Sequence, residues 1–150
     1  MEFLAAGTAE IVCLVFFHDS FKASQGVSKR GIFSAYPVEK NMALNFVQEI
    51  IASFAFLFLV FTCLKATSGD SAALQIGVIG FAAVAILSLT LNSTGFSMNA
   101  MRSVFSSVWF AILPFPNKDG EKVDWPYQLI VNLAGSSIGG ILAVIVTGLF

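Results

Sequence analysis

Residues 88–105 read SLTLNSTGFSMNAMRSVF. The stretch sets Asn99 and Arg102 three positions apart, directly after a break rich in Ser, Asn, Thr and Gly. The chain around it is 57% hydrophobic and only 11% charged, with 16 phenylalanines, whereas an average soluble chain carries roughly 25% charge. An amide and a guanidinium in such surroundings need a reason, because ionisable groups at bilayer depth are expensive and by default functional.

Working outward, the apolar runs have bilayer dimensions. A spanning helix needs about 20 apolar residues. Residues 42–66 qualify, interrupted only near the ends by Asn45, Gln48, Glu49 and Lys65; residues 72–91 carry no charge; residues 126–149 open on Pro126, suited to a first helical turn. Residues 2–17 are marginal, being short and holding Glu2 and Glu10. Residues 104–113 are apolar but too short to span, which favours a segment that enters the membrane and turns back. The pattern predicts an all-α membrane protein, a single membrane domain over 1–150. It has three to four spanning helices at about 2–17, 42–66, 72–91 and 126–149, and a re-entrant half-helix at about 99–112.

Several other functions are excluded on chemical grounds. Glu2 and Glu10 stand where a signal peptide needs a positive start and an unbroken apolar core. Cys13 and Cys63 lie inside apolar runs without metal-ligand spacing and read as small hydrophobes. A net charge of −1 without a basic run gives no footing for nucleic acid. His18, Asp19 and Ser20 are triad residue types, but three consecutive side chains cannot converge as nucleophile, base and orienter. The chain reads as no enzyme, with no catalytic residue, metal or cofactor.

If residues 98–113 enter from one face, their amino end lies near the bilayer midplane, preceded by irregular backbone over 91–97. Such backbone is tolerated there only when buried in protein or lining a water-filled cavity. Asn99 then caps the half-helix, whose positive end faces the lumen and repels cations. Arg102, one turn in, is a charged constriction that donates hydrogen bonds. Alternatively Arg102 snorkels to an interface and Asn99 is only a cap; spacing alone leaves both readings open. Trp109, Trp125 and Tyr127 bracket the polar loop 114–125 as interface anchors do.

The stretch TGFSMNAMRS (94–103) resembles the second signature of the aquaporin and glycerol-facilitator family, Gly-x-x-x-Asn-Pro-Ala-Arg-Ser/Asp. GIFSAYP (31–37) is similar to the family's external loop, FVQEIIASF (46–54) to its fourth helix, and DWPYQLIVNLAGSSIGG (124–140) to the start of its last helix. The resemblance covers essentially the whole chain. It implies that the backbone of Gly95, Phe96, Ser97 and Met98 lines a pore, with Asn99 as midpoint hydrogen-bond donor and Arg102 as filter cation. Phe96 falls at the aromatic filter position and Leu87 at the filter position of the preceding helix. Glu49 takes the place of a buried carboxylate that braces the re-entrant loop. Three departures leave glycerol against water open: Ala100 for Pro, Met101 for Ala, and Ser103 where glycerol facilitators usually carry Asp, while Leu133 is facilitator-like.

The family fold is an inverted repeat of two halves meeting at the midplane, and this sequence begins within what resembles the third helix. The resemblance therefore implies the carboxyl-terminal half of a glycerol/water facilitator. Such a half-channel passes small neutral polyols or water only beside a complementary half. The alternative is a non-conducting or truncated membrane subunit that modulates assembly of full-length channels. The implied partners are the lipid bilayer, glycerol or water, and a complementary amino-terminal half or full-length subunits in an oligomer of the plasma membrane. Gly135 and Gly139, reinforced by Ser136 and Gly140, form a small-residue face for close helix approach, within the bundle or between chains. Orientation is contested: loops 18–41 and 114–125, external in the family, hold six of the 8 basic residues, and basic residues favour the cytoplasm.

Overall fold

The computed structural model describes residues 1–69, 71–90, 94, 95, 97, 99–118 and 120–148, with the backbone alone for Leu87, Leu89 and Thr90. Regular structure among them is entirely helical: α1 (Glu2–Phe16), α2 (His18–Ala23), α3 (Arg30–Phe33), α4 (Met42–Ala66), α5 (Ala72–Thr90), α6 (Ala100–Ile112), α7 (Trp125–Tyr127), a π-helical segment (Gln128–Gly135) and α8 (Ser136–Gly148). The last three run on as one continuous helix.

Local chemistry sets the ends. Asn41 caps α4 by accepting the Leu44 N–H at 3.1 Å, satisfying one of the four orphan donors of a helix start. Asp124 does the same for the last helix, accepting the Tyr127 N–H at 3.3 Å, with Pro126 in the first turn. At the other end the Thr67 hydroxyl donates to the Cys63 carbonyl, and Lys65 Nζ donates to the Thr147 carbonyl, both at 2.7 Å. Among the described residues two helices, Met42–Ala66 and Trp125–Gly148, are each long and apolar enough to cross a membrane.

The burial pattern is inside-out relative to a water-soluble protein. The hidden face of α4 carries Asn45, Glu49, Ala52 and Ser53. The last helix hides Gln128, Asn132, Ser136 and Thr147 at helical spacing, interleaved with Val131, Gly135, Gly139 and Ala143. Ile51, Phe81, Val84, Ile141 and Val144 face outward and exposed. Hydrocarbon solvates such an exterior, and with no water at that depth the polar groups must bond each other inside.

α4 packs most extensively on α8, and α1 on α6. The first contact is close because the facing residues are small: a Cβ on Gly135 would lie 3.2 Å from Glu49 Cβ, and one on Gly139 would lie 2.8 Å from Ser53 Cβ. In the second, Phe3 stacks on Trp109 with centroids 5.1 Å apart, and the indole Nε1–H donates to the Phe3 carbonyl at 2.9 Å.

The connection 18–41, read from sequence as a polar loop, contains α2 and α3. They form because Phe21 and Phe33 can bury themselves against Phe110 and Phe115, a pattern too short to show a period. The same end ties its two loops together. Buried Lys29 donates through Nζ to the carbonyls of Ser24 (2.8 Å), Val27 (3.2 Å) and Asn117 (2.9 Å). Its N–H donates to Glu121 Oε2 at 3.0 Å. Asn117 donates back to the carbonyls of Phe21 (3.2 Å) and Lys22 (2.7 Å).

Candidate pore-lining site

Asn99 stands in extended conformation and its Oδ1 accepts the Arg102 N–H at 3.0 Å, closing the first turn of α6. That use of the oxygen leaves the two amide hydrogens for other acceptors. At the far end Lys118 Nζ donates to the carbonyls of Ala111 (3.2 Å) and Leu113 (3.3 Å), putting an ammonium at the negative end of the helix. The 13-residue helix spans about 20 Å at 1.5 Å per residue, less than the ~30 Å of hydrocarbon. Asn99, Met101 and Arg102 are exposed at its amino end, while Ser103, Ser106, Ser107 and Phe110 are buried.

The backbone leading into α6 is buried where it is described, with Thr94 0% and Ser97 1% exposed. Gly95 has φ +80°, and a Cβ there would lie 2.7 Å from the Tyr36 carbonyl carbon. Only glycine meets both demands. The Thr94 carbonyl accepts the Tyr127 hydroxyl at 3.2 Å. That hydroxyl accepts in turn from Asn45 Nδ2 at 3.3 Å, which also donates to the Glu39 carbonyl at 3.0 Å. Phe96 and Met98 lie outside the described residues, and Leu87 is placed on α5 by its backbone only. Glu49 is fully buried on α4, and Ser53 Oγ donates to its Oε1 at 3.4 Å. Of the 91–97 loop expected to bond Glu49, only Thr94, Gly95 and Ser97 are described.

Behind Arg102 the structure places a polar cluster that the sequence reading missed. Ser103 Oγ accepts from the Ala35 N–H and from Asn132 Nδ2, and donates to Gln128 Oε1, each at 3.3 Å. The Ala35 carbonyl accepts from Gln128 Nε2 at 3.0 Å and from Asn132 Nδ2 at 3.2 Å. Asn132 Nδ2 also lies 2.7 Å from Gln128 Oε1. The available signal was two amides four residues apart inside an otherwise apolar run.

Asn99 and Arg102 line a cavity of about 460 Å³ with Glu2, Ala5, Glu10 and Ser106. Asn99 also lines a second one of about 620 Å³, beside Ala100, Ser136 and Gly140. Hydrogen-bond donors from an amide, a guanidinium and a helix amino end thus share the first cavity with the carboxyl groups of Glu2 and Glu10. Among the described residues no group of three or more His, Cys, Asp or Glu could hold a metal ion.

An apolar-coated helical bundle with a polar interior and a short asparagine-capped helix has the make-up of a membrane protein. The Major intrinsic protein family matches residues 5–147, and the chain belongs to that family. Glycerol uptake facilitator protein 2 of Lactiplantibacillus plantarum is 30% identical over 146 residues, covering 95% of this chain and 59% of the relative. The Glycerol uptake facilitator protein of Streptococcus pneumoniae is 28% identical over 151 residues (99% and 62%). A D/L-lactic acid transporter of L. plantarum is 26% identical over 147 residues (95% and 59%). The chain thus spans about three fifths of the length of these relatives. No solved structure matches.

Proposed function

We propose that these 150 residues form the carboxyl-terminal pore wall of a glycerol/water facilitator. It passes small neutral polyols or water passively across the plasma membrane when a complementary half supplies the facing wall. The observation that carries this reading is the exposed Asn99–Arg102 pair at the amino end of α6, followed by the buried Ser103, Ser106, Ser107 and Phe110. Arg102 rejects cations and protons, Asn99 orients a passing hydroxyl, and carbonyls of 95–98 accept its hydrogen. The relatives' names support glycerol as permeant. The chain is multi-pass in this reading, works in an oligomer, and performs no catalysis.

The test is stopped-flow permeability in liposomes. The 150-residue chain alone should give no more glycerol or water flux than empty vesicles. Co-reconstitution with the amino-terminal part of a glycerol uptake facilitator should raise flux, and Arg102→Ala should then let cations leak. Robust glycerol permeation by the chain alone would overturn the need for a complement; no flux from the pair would overturn the pore reading.

A further inference from the structure

We propose that the Gln128–Asn132 amide pair is a positioning device that fixes the height and orientation of Arg102 by holding its neighbour Ser103. The inference rests on the pore-wall reading above and adds residues to it. Ser103 and Arg102 are adjacent on α6 and lie about 100° apart around its axis: Arg102 is exposed, whereas Ser103 is 2% exposed. Whatever holds Ser103 therefore sets the roll of α6 about its axis, and with it where the guanidinium points.

The Ser103 hydroxyl accepts from the Ala35 N–H and donates to Gln128 Oε1, while Asn132 Nδ2 shares its two hydrogens among Ser103 Oγ, the Ala35 carbonyl and Gln128 Oε1. Neither amide can be flipped, since a side-chain oxygen turned toward the Ala35 carbonyl would face another acceptor. The cluster is thus a lock in which the donor and the acceptor are fixed at each bond. It lies in a low-dielectric interior where such bonds are strong and mutually reinforcing. Its anchors are independent of α6: Ala35 belongs to the connection that also presses Tyr36 against Gly95, and both amides sit on the last helix. One lock therefore aligns the half-helix with the backbone that precedes it.

Two features mark this as more than packing. Gln128 and Asn132 fall in a π-helical segment, a rare conformation concentrated at functional sites. Asn132 Oδ1 is buried without a hydrogen-bond partner among the described residues. A polar group retained in a membrane interior at that cost asks for a use.

The test compares Ser103→Thr with Ser103→Val. Both add the same bulk, and only Thr keeps the hydroxyl. Hydrogen exchange at the α6 amides is measured on the 150-residue chain in nanodiscs. The ratio of glycerol to water permeability is measured after co-reconstitution with the amino-terminal part of the L. plantarum facilitator. Ser103→Val should exchange roughly tenfold faster than Ser103→Thr at Arg102 and Ser103, the factor about one buried hydrogen bond is worth. Its permeability ratio should shift severalfold, while Ser103→Thr stays near the parent. Equal behaviour of the two variants, or faster exchange with an unchanged ratio in a conducting channel, overturns the proposal. Absence of flux in the unsubstituted pair defeats the pore-wall reading itself and is thereby told apart. Should Ser103→Val not fold, Gln128→Met, which keeps length and removes the oxygen and nitrogen of the Gln128 amide, should give the same shift.

Discussion

A Cβ built on Gly139 would strike the Ile50 carbonyl oxygen and lie 2.9 Å from the Phe54 nitrogen, both backbone atoms that cannot move aside. A Cβ on the adjacent Gly140 meets only Leu57 Cδ1, at 3.1 Å, the free end of a flexible side chain. Gly139→Ala is therefore expected to cost about 1–3 kcal/mol, the range for overpacking, and Gly140→Ala well under that. Unfolding in mixed detergent micelles measures both, and equal losses would show that α4 and α8 are not held by this contact. Glu49 belongs to the same scale. It is fully buried, with Ser53 donating to it. Replacement by Gln keeps a hydrogen-bonding group of the same length; replacement by Leu leaves the surrounding donors unmet, worth about 1–3 kcal/mol. Glu49→Leu at least as stable as Glu49→Gln would contradict this.

At the scale of elements, the start of the last helix is pinned by an ion pair between Asp124, which also caps α7, and Lys40 at the approach to α4. Burial would raise the Asp124 carboxyl. Lys40, the Tyr127 N–H and Arg30 outweigh it, so the folded carboxyl titrates below its ordinary 3.8. Lys40 is raised above 10.5, chiefly by its hydrogen bond to Asp124. A depressed acid stabilises the fold above its unfolded value and loses that contribution as pH falls through the folded one. A raised lysine contributes below its unfolded value and loses it as pH rises through the folded one. The clasp is complete between the two ranges and is lost first in acid. Acidification through the carboxylate range should lower the unfolding temperature less in Asp124→Asn than in the parent; identical acid slopes would refute the clasp. Elements also differ in how readable they are. The all-helical membrane class was legible because bilayer-length apolar runs are long signals. α2 and α3 were not, since each is a turn or so held by Phe21 and Phe33 reaching distant partners. The π-helical segment was not, because so short a widened stretch hardly disturbs an apolar pattern. The Ser103 cluster was not, because Ala35 contributes to it only through its backbone.

For the whole molecule, Lys22, Lys29, Arg30, Lys40, Lys118 and Lys122 all belong to the two tied loops at one end. Lys65 sits at the end of α4, bonded to Thr147 of α8. Charge in short loops favours the cytoplasm, against the external placement that the family resemblance implies. The 150 residues expressed alone are expected to insert inverted or in mixed orientation, and to regain family topology beside a complementary half. A thiol introduced at Ser28, which is exposed, in a variant lacking Cys13 and Cys63 reports this. Uniform labelling by an impermeant reagent from outside intact cells would show that loop charge does not decide.

The π-helical stretch Gln128–Gly135 is also slack in the chain. Its turns hold roughly a residue more than the usual 3.6, so it can surrender one by tightening to α-helical bonding. Removing Ile130 should leave Gly135 and Gly139 against α4. Removing Leu142 should swing Ala143 and Thr147 about 100° away from it and break the Lys65 bond to Thr147. Thermal unfolding should separate the two deletions clearly. The first would keep the bundle while loosening the amides behind Ser103, so the length of the last helix and the set of the pore wall can be altered one without the other.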